Sequence, residues 1–456
     1  ATFGTDFIII MTSCYLAVKG SLGTFIIQGQ LPYYREMGVP AAEYQIYGSI
    51  AQTPWAMKAL WGTLSDSLPI GGYPKGGYIV AVSAIGFAAF AVLAAVPIGV
   101  EQAELAAIAF FAANVDVSMV DLLCQGQYAA AMVAHPETSS ALVSWVWGMY
   151  HVGALAASTM IGPLADAVNP RIIYWIALPL AGQIILPTLL GYLGEEQLPR
   201  GQRCCHVEKE KVRAQPRLFF LAMVMAVAAL GMALVNLFGT YLAQSIYAVC
   251  ASITLCTAGF FCLGPTLAKA NLYMFLTNAL YISTDGALDY FYTAGEDCVP
   301  GGPAFSYTYY VTWANVVGSI CSIAGVALFQ RTMSSWNFRP VFWVTTIIKV
   351  CAAMIDIVIV NRWNKAIGIP DEVTYMLGDA IVFQLCATLD FMPAVVLTSK
   401  LCPVSTNRLH DVCSGRAALS HRWFGCVLQS NVESTVYALL AGFQNFGSQM
   451  ARTAGV

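Results

Sequence analysis

Apolar residues in this chain arrive in long unbroken runs, repeated from one end to the other. Runs of about twenty residues suffice to cross a ~30 Å hydrocarbon core at 1.5 Å rise per residue. Within lipid, every backbone N–H and C=O must find an internal partner, which restricts the chain to helices or a closed barrel. The runs show no alternation of apolar and polar residues, so they predict helices. Of 456 residues, 58% are hydrophobic and only 10% are charged, and the mean hydropathy is +0.66. A soluble domain carries about 25% charged residues, so this chain could not cover a water-facing surface. The expectation is an all-α, multi-pass integral membrane protein.

Helices are expected near 7–34, 43–64, 77–98, 104–133, 139–164 and 171–193. A polar linker follows at 194–216, then an extra apolar pair at 217–264. Five further helices are expected near 271–294, 305–330, 338–361, 373–400 and 431–452. If the linker is cytoplasmic, that side collects fourteen Lys and Arg residues against four (Arg35, Arg171, Arg362 and Lys365) on the other. This satisfies the positive-inside rule with the N-terminus inside. The layout is a six-helix bundle at 1–193, the linker, the extra pair, and a second bundle at 271–456. That second bundle is one helix short of six, so the chain is expected to be incomplete at its C-terminus. The start at Ala1 leaves room for a targeting segment upstream.

An ionisable side chain at membrane depth costs at least ~2.5–3.5 kcal/mol, which makes it a functional candidate. Asn114, Ser118, Asp121 and Gln125 form one helical stripe. Asn278, Tyr281, Asp285 and Asp289 repeat the design in the second half. Trp55, Lys58, Gly62 and Asp66 line a face of the second helix, and Lys349 and Asp356 share a side of another. Asp116 stands about 140° around its helix from Asp121 and so faces elsewhere. His151, in SWVWGMYHVG, is a candidate for titration in a proton-coupled cycle. Helix–helix packing would account for any one of these residues, but simple packing uses Gly, Ala and Ser more cheaply.

Other chemistries find little support. The net charge of −3 carries no basic block that would suit nucleic acid. Most of the fourteen cysteines sit in apolar stretches as small buried hydrophobes. His410, Cys413, His421 and Cys426 lie in a polar loop with irregular spacing, unlike paired zinc ligands, so no metal and no cofactor is expected. Phosphate-loop, GxSxG and HExxH motifs are absent, which points away from ATP-driven transport and from enzymes.

The stretch Pro54–Tyr78, PWAMKALWGTLSDSLPIGGYPKGGY, resembles the signature of the folate–biopterin transporter family, a branch of the major facilitator superfamily. Pro54, Trp55, Lys58, Gly62, Ser65, Asp66, Pro69, Gly72 and Tyr73 match. Ala59 stands where the family usually has Pro, and Lys75 is one cation where the family has several. DVSMVDLLCQGQY (116–128) is similar to the family's fourth helix, with Gln125 and Gln127 replacing an acid and a base. YISTDGALDYFYT (281–293), CVPGGPAFSYTYY (298–310) and LCPV with NVESTVYALLAGFQNFG (401–447) are similar to further family blocks. Removing 405–430 restores the last of these, so those 26 residues are expected to be an insertion without a transport role.

The resemblance implies a major facilitator-type fold with a 6+6 core, two extra apolar helices between the halves and the last core helix absent. It implies alternating-access transport of folate or biopterin-type pteridines by a monomer, with a proton as co-substrate and the bilayer as the other partner. A different small solute, such as S-adenosylmethionine, an amino acid or a sugar, is the alternative; a non-transporting receptor or scaffold is the remote one. Asp121 and Asp285 are candidates to accept the paired N–H donors of a pterin edge. Trp55, Trp147, Tyr290 and Tyr292 are candidates to stack the ring, Lys58 and Lys19 to meet carboxylates, and Gln125 to line the site. Asp66, Lys75, Asp116, Asp289, Asp390 and His151 are candidates for coupling or gating. The plasma membrane is the default location, with a plastid envelope as another.

Overall fold

A computed structural model describes residues 3–97, 99–134, 138–195, 197, 213, 216–295, 298–333, 335–401 and 433–456. The insertion expected at 405–430, most of the basic linker, and His410, Cys413, His421 and Cys426 lie outside these residues. Among the described residues the chain is helical, its only β-type pairing an isolated bridge between Ile70 and Tyr73. The helices are α1 (Thr5–Met37), α2 (Ala41–Ala56 continuing as Lys58–Ser67), α3 (Gly76–Ala95), α4 (Ala103–Ala134), α5 (Ser139–Ala167) and α6 (Arg171–Leu189). They continue as α7 (Pro216–Phe238), α8 (Tyr241–Cys262), α9 (Pro265–Ala279, then Asp285–Thr293), α10 (Thr308–Thr332), α11 (Phe338–Val360), α12 (371–401) and α13 (Glu433–Ala454). Nine of them are long and apolar enough to cross a membrane. The other four are α2, α5, α9 and α13. The chain is thus a multi-pass integral membrane protein.

Helices α1 to α6 pack on one another, with α1 against α5 and α4 against both α2 and α3. Their shared core includes Tyr33, Tyr34, Phe110 and Tyr174, all fully buried. Helices α10, α11 and α12 form a second group, and α9 packs on α13. The two groups meet along two seams. At the first, α13 crosses α2, and α7 lies against both. Polar side chains fasten it: Gln449 donates to Thr53 Oγ1 at 2.6 Å and Asn445 to the Trp55 carbonyl at 3.0 Å. At the second, α5 meets α10. The approach there needs glycine, since a Cβ on Gly162 would lie 2.5 Å from the Tyr307 carbonyl oxygen. Thr312 donates to the Ser158 carbonyl at 2.6 Å across the same seam.

Two helices are interrupted where a continuous stripe was expected. In α2 the interruption falls at Met57, just after Pro54. Proline has no N–H to donate and its ring crowds the preceding turn. The Pro54 carbonyl accepts from the Met57 N–H and from the Trp61 indole, each at 3.2 Å. The expected helix 271–294 begins earlier, at Pro265, and breaks between Ala279 and Asp285. Asn278 and Asp289 therefore belong to separate segments, and the Asn278–Asp289 stripe does not exist as one face. Freed backbone groups at the break must be satisfied again. Gln45 does so from α2, donating to the Ser283 carbonyl at 2.8 Å and accepting from the Gly286 N–H at 2.9 Å.

Candidate functional site

Three helices bring opposite charges together inside the first group. Lys58 begins the second segment of α2, immediately beyond the Met57 break. Lys19 lies in a π-helical stretch of α1, Ser13–Leu22. Such widened turns re-aim side chains and occur often at functional sites. Asp121 comes from the middle of α4, and its carboxylate is shared: Oδ1 lies 2.9 Å from Lys19 Nζ and Oδ2 lies 2.6 Å from Lys58 Nζ. The Asp121 side chain is 2% exposed, Lys58 9% and Lys19 16%, so the outermost cation is Lys19.

Aromatic rings surround both ammonium groups. Lys58 Nζ sits 4.2 Å from the Trp55 ring centroid, and Trp55 is itself fixed by donating to Asn114 Oδ1 at 3.0 Å. Lys19 Nζ lies 4.6 Å from the Trp147 ring and about 5.5 Å from Tyr15 and Tyr150. Each such contact is worth about 0.5–2 kcal/mol, more as water is excluded. Trp147 keeps 43% of its surface exposed. The stripe mates of Asp121 divide their roles: Asn114 also donates to the Ala51 carbonyl at 2.6 Å, while Gln125 is half-buried one turn beyond.

The remaining expected residues lie elsewhere. Asp285 opens the second segment of α9 and pairs with Arg452 at 3.6 Å, with over half of its side chain exposed. It shares no partner with Asp121, so the two carboxylates proposed to grip one pterin edge are held in different surroundings. Asp285 and Arg452 line a cleft with Gln30, Tyr44, Gln45 and Gln52 whose volume is about 30 Å³. That is room for a water or two, far below the ~300–1,000 Å³ of ligand pockets. Asp289 accepts hydrogen bonds from Tyr44 of α2 at 2.8 Å and Tyr310 of α10 at 2.6 Å, which ties the two helix groups together. Tyr290 donates to the Val39 carbonyl at 2.6 Å under the Arg35 guanidinium. Tyr292 is buried, donates to Asp356 at 2.8 Å and stacks on Phe305. Tyr292 is thus enclosed in this arrangement, while Tyr290 is half-buried.

Asp116 is buried against α3, accepting from Ser83 at 2.8 Å, as its offset from Asp121 requires. Asp390 pairs with Lys349 at 3.1 Å, and Lys349 lies over the Tyr281 ring at 4.4 Å. Lys349 and Asp356, expected on one side of a helix, thus engage different partners. Lys75 lies beside Gly126 of α4, and Glu195 accepts from the Gly76 N–H at 2.8 Å and from Gln127 at 3.2 Å. Asp66 is half-buried near the end of α2, and His151 is exposed with its ring 4.9 Å from Tyr150.

The sequence reading missed the fastenings between the helix groups. Arg35 donates to Thr293 at 2.8 Å, and Asp166 accepts from the Tyr307 and Thr308 N–H groups at 3.0 and 2.7 Å. The residues lie near helix ends and in ordinary-looking polar positions, so only Asp166, an acid just beyond Gly162, offered any local signal.

Residues 19–407 match the model of the BT1 family. The chain is 24% identical over 360 residues to a protein of Arabidopsis thaliana named probable folate-biopterin transporter 6, covering 79% of this chain and 62% of that one. It is 23% identical over 396 residues to the folate-biopterin transporter of Synechocystis sp., covering 85% of this chain and 66% of that one. The chain therefore spans just under two thirds of the length of these two relatives. Its fold is similar to that of a POT family transporter crystallised with 5-aminolevulinic acid, with a TM-score of 0.65 at 10% identity, covering 99% of this chain and 89% of the other. That likeness supports a major facilitator-type fold, and the family match, which begins at Lys19, includes all three residues of the Lys19–Asp121–Lys58 cluster. The chain belongs to the BT1 family, the folate–biopterin transporter family that its motifs resemble.

Proposed function

We propose that this protein is a secondary transporter of folate- or biopterin-class pteridines, working by alternating access with proton coupling. The single observation that carries the reading is the Lys19–Asp121–Lys58 cluster with its aromatic surround, buried among α1, α2 and α4 of a chain whose relatives bear that transporter name. Charges are retained at such depth mainly where a pathway needs them. The contacts of Arg35, Val39, Tyr44 and Gln45 with α9 would form the closed gate at one end, to be released as the helix groups rock. Asp289 is the carboxylate we assign to the proton, because its two partners are tyrosine hydroxyls from opposite sides of that gate.

Uptake of labelled folate, biopterin and S-adenosylmethionine by the full-length protein in a transport-deficient host, with and without a pH gradient, tests this. Pteridine uptake that rises with an inward proton gradient is expected. Uptake of S-adenosylmethionine alone would replace the substrate class. Asp289→Asn keeps a hydrogen-bond acceptor for the tyrosines but cannot exchange a proton. It is expected to leave exchange of preloaded solute intact while removing the response to the gradient, and an unaltered gradient response would remove Asp289 from the coupling step.

A further inference from the structure

The expected grip on a pterin edge required Asp121 to be an open acceptor, whereas both of its oxygens are engaged by ammonium groups. With both lysines protonated, two cations share one anion and the buried cluster carries a surplus positive charge. A neutral pterin offering N–H donors to Asp121 would displace a lysine and leave that cation unpaired, a costly arrangement away from water. An incoming anion does the opposite and neutralises the surplus.

The two lysines are unequal. Lys58 is the more buried, holds the shorter contact to Asp121, and is covered by Trp55. Lys19 is the more exposed, holds the longer contact, and lies beside Trp147, which keeps 43% of its surface exposed. A flat ring stacked on Trp147 would bring a carboxylate attached to it within reach of Lys19. We propose that the site selects an aromatic carboxylate over a neutral pterin, the solute's carboxylate taking Lys19 while Asp121 stays with Lys58. This rests on the transport reading above but narrows it, since biopterin carries no carboxylate and folate does.

The test is competition against labelled folate bound to the full-length protein in lipid nanodiscs. The probes are pterin-6-carboxylate, its neutral analogue 6-hydroxymethylpterin, and p-aminobenzoylglutamate, an aromatic carboxylate without a pterin. Pterin-6-carboxylate is expected to compete at least ten-fold more strongly than 6-hydroxymethylpterin. Lys19→Gln is expected to bring the two within two-fold, and Lys19→Arg to preserve the preference. Equal potency of the matched pair in the wild-type protein overturns the proposal, as does a preference that survives Lys19→Gln. Should Lys19→Gln not fold, the wild-type ratio and the Lys19→Arg variant still decide. Tight pterin binding without a carboxylate preference would sink this inference and leave the pteridine reading standing. If folate itself does not bind, direct binding of labelled p-aminobenzoylglutamate would sink the pteridine reading and keep this inference; its failure too would sink both.

Discussion

Each half of the molecule holds a lysine against an aspartate beneath an aromatic ring, yet the two arrangements differ in balance. In the first half, Asp121 is shared by Lys19 and Lys58, with its own side chain 2% exposed. In the second, Lys349 meets Asp390 alone, each side chain more than a fifth exposed, with Thr345 and Thr346 hydroxyls adding contacts at 3.4 and 3.3 Å. One cation with one anion is a self-contained pair that screened surroundings make cheap to keep or lose. Two cations on one buried anion are neither neutral nor screened. The second half does set two cations on one aspartate, Arg362 and Lys365 on Asp371, but Lys365 there is 47% exposed; on the transport reading proposed above, the cluster enclosed on all three members is the one in the first half.

The sharpest way to break this comparison is to remove one lysine from each half. Lys58→Met removes the shorter and more buried contact of Asp121 and leaves Lys19 as its partner, so the loss should fall below the about 3–5 kcal/mol of a buried charge left wholly unpaired. Uptake is expected to fall more than ten-fold, with a clear loss of thermal stability, whereas Lys349→Met should lose no more than about three-fold, in keeping with a partly exposed pair. Similar losses at both positions, measured in one uptake assay, would end the distinction. Exchanging the partners is a finer probe. Lys349→Asp combined with Asp390→Lys should retain most thermal stability because the pair is preserved. Lys58→Asp combined with Asp121→Lys should not, since Lys19 would then face a lysine. The aromatic covers should differ less: Trp55→Phe loses the bond to Asn114 and is expected to lower uptake about three- to ten-fold, while Tyr281→Phe keeps its ring and should change uptake less than two-fold. Smallest of all is Asp116→Asn, which preserves an acceptor for Ser83. Melting temperature and uptake are expected to stay near wild type, and a large loss would return Asp116 to the transport machinery.

Much of the helical framework was legible because the bilayer imposes a length and an apolar composition that any sequence must display. The break in α9 was not, because Leu280 and Tyr281 look like a continuing apolar run and the partners that satisfy the freed backbone come from Gln45, more than two hundred residues away. The importance of Asp121, Lys58 and Lys19 was legible from the cost of charge in lipid. Their mutual engagement was not, since helix-face spacing says nothing about which face of another helix lies opposite.

By itself, then, the sequence determined a membrane protein of many helices, the family, and the short set of ionisable residues worth their burial. Tertiary structure alone decided that Asp121 is closed by two lysines, that Asp285 stands apart beside Arg452, and that Tyr290 and Tyr292 donate to the Val39 carbonyl and to Asp356. The physical reason is one of range. Hydropathy and helical periodicity act along the chain and are written locally, whereas charge pairing is decided by which helices meet across distances in sequence that no local pattern spans.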